Sequence, residues 1–349
     1  MSKTPIFLIG ATGYIGGTVL ARLLAHPSKD TFDITVLVRS EEKAKKLETF
    51  GVKTVIGSYT DTALVEQLAE KAHVVFSCAD ADALDAANAF LAGLRKRHAK
   101  LGDLPILIHT SGTGLLTFGD SAKGEQPTDK IYFDNDPDDI EKSFPPTALH
   151  RNVDLAIVQA DKEGYVRAYI VLPSTIWGIA KNPLVDAGIQ NPHSQQIPAL
   201  INAALARGQA GVVGKGRAYW PSVNIEEQGD LFIILYDAVV SNPEKIGHGR
   251  DGFYFGENGE HLWYDISKAI GKVLVKRGIS KSDEPTSFTT EELVKYFISE
   301  EIGGSFGTNS RARGIHSRSI GWQPKLGTRD MLDSIDTEVE AILKLQQKA

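Results

Sequence analysis

Short β-branched and aliphatic runs alternate with longer helical patterns through the first half of the chain. The runs "PIFLI", "DITVLV", "VKTVI", "HVVFS" and "PILIHT" read as strands, and the stretches 14–25, 61–69 and 82–100 are long enough for crossover helices on the sheet faces. That rhythm predicts an α/β fold built on a Rossmann-like, doubly wound parallel sheet. A further helix is expected within "TALHRNVDLAIVQADKEG", then the strand "VRAYIVL". The alternation stops in the Pro- and Gly-rich stretch "PSTIWGIAKNPLVDAGIQNPHSQQIP", after which helices at 197–207 and 230–241 mix with short strands such as "GFYFG". Residues 1–178 are thus expected to form the sheet domain, which can also take later strands. Residues 179–349 are expected to form a smaller mixed α/β lobe with soft boundaries.

The first strand runs directly into "GATGYIGG". Gly10, Gly13 and Gly16 have the spacing of a strand-to-helix turn that cradles a pyrophosphate. The first glycine makes the turn, the second admits the anion and the third lets the helix pack on the strand. Thr12, Tyr14 and Ile15 complete the turn, so residues 1–178 become an NAD(P)-binding domain and 179–349 its substrate lobe. The second strand ends in Arg39-Ser40, where a site for the ribose 2′-hydroxyl of NAD would carry a carboxylate. Arg39, aided by Ser40 and Lys43, suits the 2′-phosphate of NADP(H); the plainer alternative is a solvated arginine after a strand.

Composition narrows the partners. The chain has 349 residues, is 42% hydrophobic and carries a formal net charge of -6, which argues against broad binding to nucleic acid or to anionic membranes and for a small-molecule substrate. The single cysteine, Cys78, rules out an internal disulfide and any Cys-based zinc site and suits a cytoplasmic setting, with a packing role for the thiol. The longest late apolar run, "LFIILYDAVV", is too short to span a bilayer. No metal site is expected: "DNDPDD" lacks the glycine and distal glutamate of a calcium loop and reads as an acidic loop. The oligomeric state is left open between monomer and homodimer.

Together "GATGYIGG", "LIHTSGTG", "LPSTIWG", "SVNIEEQGD" and "NSRARGIHSRSIGWQPKL", in this order, resemble the extended or atypical short-chain dehydrogenase/reductases, close to the NAD-dependent epimerase/dehydratase group. The resemblance covers most of the chain. It implies that Ser111 orients substrate and that Pro173 flanks the nicotinamide pocket; a strand-end serine satisfying backbone groups is the alternative for Ser111. The family's Tyr-x-x-x-Lys pair is replaced, with His150 where the tyrosine would fall and Asp154 where the lysine would fall. One reading makes His150 a general acid, with Asp154 orienting its ring and accepting from the ribose hydroxyls. The other makes them an i,i+4 surface pair beside an apolar stripe of Leu149, Val153, Ala156, Ile157 and Ala160. His193, Gln195 and Gln196 stand between selecting a polar ligand and an ordinary surface loop. Arg311, Arg313 and Arg318 stand between reading an anionic substrate and being solvated. The function expected is that of an NADP-dependent oxidoreductase on a small carbonyl or alcohol. A non-catalytic NADP(H)-binding redox sensor comes second, and a nucleotide-sugar epimerase or dehydratase third.

Overall fold

The computed structural model describes residues 3–347. Five strands in the first half, β1 (Thr4–Ile9), β2 (Phe32–Val38), β3 (Lys53–Ile56), β4 (Val74–Ser77) and β5 (Ile106–Thr110), join Arg167–Pro173 and Phe253–Gly256 in one seven-stranded sheet. Its order is Phe253–Gly256, Arg167–Pro173, β5, β4, β1, β2, β3, and every pairing is parallel. The strand of "GFYFG", read in sequence among the short strands of the second half, therefore closes one edge of the main sheet. Both faces are covered, and the side-chain period of two is visible in β1: Ile6 and Leu8 enter one core cluster, Phe7 and Ile9 the other.

Helix α1 (Tyr14–Ala25) covers one face together with Ile225–Ser241. On the opposite face lie α3 (Thr62–Lys71), α4 (Leu84–Leu101) and Arg151–Lys162; α2 (Glu41–Glu48) follows β2. A third core, containing Ile197, Trp220, Trp263, Ile270, Met331 and Ile335, belongs to a smaller assembly around a three-stranded sheet of Thr175–Trp177, Tyr219–Asn224 and Glu260–Leu262. The order of the main sheet reverses at β1, which lies between β2 and β4, so the crevice for a ligand falls at the carboxyl ends of β1 and β4. Among the described residues no helix is long and apolar enough to cross a membrane.

Candidate active site

The glycine turn occupies that crevice. Gly10 has φ +92°, and a Cβ there would stand 2.5 Å from the Cys78 carbonyl oxygen, so only glycine fits. A Cβ on Gly16 would come within 2.3 Å of the Gly10 oxygen, which fixes the close approach of α1 to β1. Gly13 differs: its Cβ would meet only the Gly10 oxygen, at 3.2 Å, and its outer side faces the groove. It caps α1 without a side chain, and no acidic residue occupies the first turn. The leading amides of α1 thus point at open space with the positive end of the helix dipole behind them.

Two adjoining hollows make one groove across this turn. The first, about 390 Å³, is bordered by Gly10, Thr12, Gly13, Arg39, Lys43 and Tyr59. The second, about 660 Å³, runs past Gly13, Tyr14 and Ile15 to Thr110, Ser111, His150, Pro173 and the segment 191–196. Arg39 and Lys43 form no ion pair among the described residues. Ser40 caps α2, its Oγ accepting from the Lys43 amide at 3.3 Å, which leaves its hydroxyl hydrogen uncommitted. Tyr14 is anchored, its hydroxyl donating to the Gly178 carbonyl, so it serves the groove through its backbone and ring. Cys78 lines the groove, and burial pushes its thiol up to about 12, which keeps it protonated and unreactive.

The far end of the groove overturns the expected pairing of His150 with Asp154. His150 is not within a helix. It is the N-cap of Arg151–Lys162, in the left-handed region at φ +67°, and its backbone amide and its ring Nδ1 both meet Asp82 Oδ1, at 3.1 and 2.8 Å. The hydrogen bond from His150 holds the Asp82 carboxyl below the usual carboxylate range. With Nδ1 so engaged, Nε2 points to the Ser111–Thr113 turn; a Cβ on Gly112 would lie 3.1 Å from it. Leu149 is exposed, while Val153, Ile157 and Ala160 are buried as the stripe required.

Asp154 is fully buried and does not border the groove, so contact with ribose hydroxyls is excluded. It lies behind Ser111, whose hydroxyl donates to Asp154 Oδ2 at 3.1 Å. Its other oxygen has no partner among the described residues, and burial lifts the carboxyl to about 7 against the opposing pull of His150, Ser111 and Arg151. The crevice therefore holds two acid–base couples: Asp82 with His150 at its surface, and Asp154 with Ser111 beneath it.

The pairing of Asp82 with His150 is the feature of the site that sequence reasoning missed. The stretch "SCADADA" follows β4 at the crevice, and its two aspartates fold the loop: Asp80 Oδ1 accepts the Asp82 amide at 3.0 Å, and Asp80 Oδ2 accepts the Tyr59 hydroxyl at 3.1 Å. An acidic pair at that strand end was the available signal. His193, Gln195 and Gln196 do line the groove, joined by Asn191 and Ser194. The three C-terminal arginines do not border it: Arg311 and Arg313 hold Glu260 at 2.9 and 3.0 Å, and Arg318 holds Glu257 at 2.6 Å, with Arg311 largely covered and Arg313 and Arg318 partly exposed. In the acidic loop, Asp134 is buried and accepts the amides of Phe255 and His316, at 3.0 and 2.8 Å, a structural role.

Comparison with known proteins agrees with the fold. The NmrA-like family matches residues 2–90, the part that contains the glycine turn, Arg39 and Asp82. The chain is 29% identical over 336 residues to the oxidase ucsJ of an Acremonium species, covering 91% of this chain and 92% of that protein. Among solved structures it superposes on UDP-glucose 4-epimerase of Thermotoga maritima with a TM-score of 0.64 at 14% identity, over 98% of this chain and all of the other. It superposes on the NAD complex of a Bacillus anthracis dTDP-glucose 4,6-dehydratase with a TM-score of 0.62 at 15% identity, over 97% of both chains.

Proposed function

Starting from a fold shared with the epimerase/dehydratase-like extended short-chain dehydrogenases, we propose that this chain is an NADP(H)-dependent oxidoreductase acting on a small carbonyl or alcohol. The observation that carries this reading is the continuity of the groove from Arg39, over the glycine turn, to Ser111 and His150. A 2′-phosphate would be held by Arg39 and Lys43, the pyrophosphate by the amides of α1, and the nicotinamide beside Pro173. When bound, the nicotinamide supplies a hydride in one direction and accepts it in the other. The resemblance of the whole chain to a protein named as an oxidase supports redox chemistry over sugar epimerisation. So does the replacement of the tyrosine and lysine on which the family's sugar chemistry depends.

The protein's own groups manage the proton. In reduction the carbonyl π bond opens as hydride arrives at carbon, and the oxygen takes a proton from Ser111 Oγ or His150 Nε2. Asp82 is a positioning residue, since its bond to Nδ1 fixes the ring with Nε2 toward the Ser111–Thr113 turn. Asp154 sets the direction in which Ser111 works. Protonated, it donates to Ser111 and frees the serine hydrogen for a carbonyl oxygen; ionised, it draws that hydrogen inward and lets Ser111 accept from an alcohol. With the carboxyl at about 7, reduction is expected to strengthen as pH falls through neutrality and oxidation as it rises.

The test is NADPH binding by calorimetry followed by NADPH oxidation across a panel of aldehydes and ketones. Binding with turnover, cut roughly 10²-fold in His150→Phe at unchanged cofactor affinity, supports the reading. Binding without turnover across the panel would favour a dinucleotide sensor.

A further inference from the structure

The segment 191–196 forms another wall of the hollow that holds Ser111 and His150, and it is pinned. The Asn191 amide donates to the Thr12 carbonyl at 3.0 Å, and the Asn191 side chain exchanges two bonds of 3.1 Å with the backbone of His193. The Ala180 amide holds the Pro192 carbonyl at 2.9 Å. On this fixed wall His193 Nδ1 and Ser194 Oγ are buried and find no partner among the described residues, although both residues line the groove. Burial lowers the basicity of His193, so it works as a neutral donor or acceptor. Polar atoms held in this way gain most from a ligand oxygen that pairs with them.

The charges point the same way. Of the side chains bordering this hollow, Arg39 is the one lysine or arginine, and it also borders the 2′-phosphate end with Lys43. The carboxylates of Asp80 and Asp82 border the hollow too. The arginines that sequence suggested for an anion, Arg311, Arg313 and Arg318, are held by Glu260 and Glu257 and lie outside it. A phosphate or carboxylate on the substrate would meet the carboxylates of Asp80 and Asp82, and among the described residues the one lysine or arginine of the hollow, Arg39, is engaged by the 2′-phosphate in the reading above, so an anion bears a cost that a neutral hydroxyl avoids.

We propose that the substrate is an uncharged, oxygen-bearing carbonyl compound or its alcohol, that His193 and Ser194 are the specificity-determining residues hydrogen-bonding its second oxygen, and that anionic analogues are rejected. This rests on the oxidoreductase reading above. The test uses the NADPH-loaded protein and two aldehydes of similar size, 4-(hydroxymethyl)benzaldehyde and 4-carboxybenzaldehyde. The neutral aldehyde is expected to have a kcat/KM at least about tenfold higher. Ser194→Ala and His193→Phe should each raise its KM up to about tenfold with NADPH affinity unchanged, and Ser194→Arg should bring the carboxylate to parity or better. Equal consumption of the two aldehydes by the unaltered protein, or an unchanged KM in both single variants, would overturn the inference and leave the oxidoreductase reading standing. Consumption of neither, by protein that binds NADPH, would overturn both.

Discussion

Replacing Asp154 by asparagine should stabilise this protein, and increasingly so as pH rises. The carboxyl is wholly buried, with one oxygen accepting from Ser111 and the other unpartnered among the described residues, and its folded value is about 7. In the unfolded chain it titrates near ~3.9. Between those values the folded state holds the proton and the unfolded state has released it, so stability falls as pH climbs through that window. The penalty is absent below about 4 and complete above about 7. Roughly three pH units at ~1.4 kcal/mol each set a ceiling of about 4 kcal/mol. Asparagine keeps the shape and an acceptor for Ser111 but cannot ionise. Denaturant unfolding of both proteins should therefore give nearly equal stabilities near pH ~4 and a gain on the order of 2 to 4 kcal/mol for Asp154→Asn near pH ~8, other titrating groups cancelling in the difference. A difference that does not change with pH, or a variant less stable than the parent at the alkaline end, would mean that Asp154 is not a buried carboxyl with a raised pKa.

The glycine turn separates folding from binding. Gly16→Ala pushes a methyl against the Gly10 carbonyl and should cost about 1–3 kcal/mol in unfolding experiments, whereas Gly13→Val should fold yet lose dinucleotide binding in calorimetry. Arg39→Ala should lower NADPH affinity about 10- to 100-fold and leave NADH affinity nearly unchanged, read by titrating both cofactors. Asp82→Asn should reduce turnover less than His150→Phe and move the pH–rate profile, because the ring loses its charged partner but keeps Nε2.

The sheet and the phosphate turn were legible because both are local. Strand runs, helix lengths and the glycine spacing each depend on residues close in sequence, and β1 through β5 and α1 followed directly. The strand Phe253–Gly256 was recognised but could not be assigned to the main sheet, since its partner lies more than eighty residues away. The candidate reacting end was half legible. Ser111 was placed by resemblance and His150 by its position in the family pattern, but a helical reading of "ALHRNVDLAI" assumed that the helix begins before residue 150. In fact His150 takes a left-handed conformation and Asp82, sixty-eight positions earlier, claims its ring. That swap turned an expected i,i+4 pair into two separate couples, and no periodicity argument could have found it. The ion pairs of the arginines near the C-terminus were not legible for the same reason, because Glu257 and Glu260 meet them only once the chain has folded.

The oxidoreductase reading requires hydride transfer in the groove that joins Arg39 to Ser111 and His150. The test is to incubate the protein with NADPH carrying deuterium at both C4 positions of the nicotinamide and the aldehyde panel, and to weigh the alcohols formed. Mass spectrometry should show one deuterium on the carbinol carbon of a product alcohol, reduced roughly 10²-fold in yield with His150→Phe. Tight binding of the labelled cofactor with no deuterium transferred to any aldehyde would rule out reduction of such carbonyls in this groove.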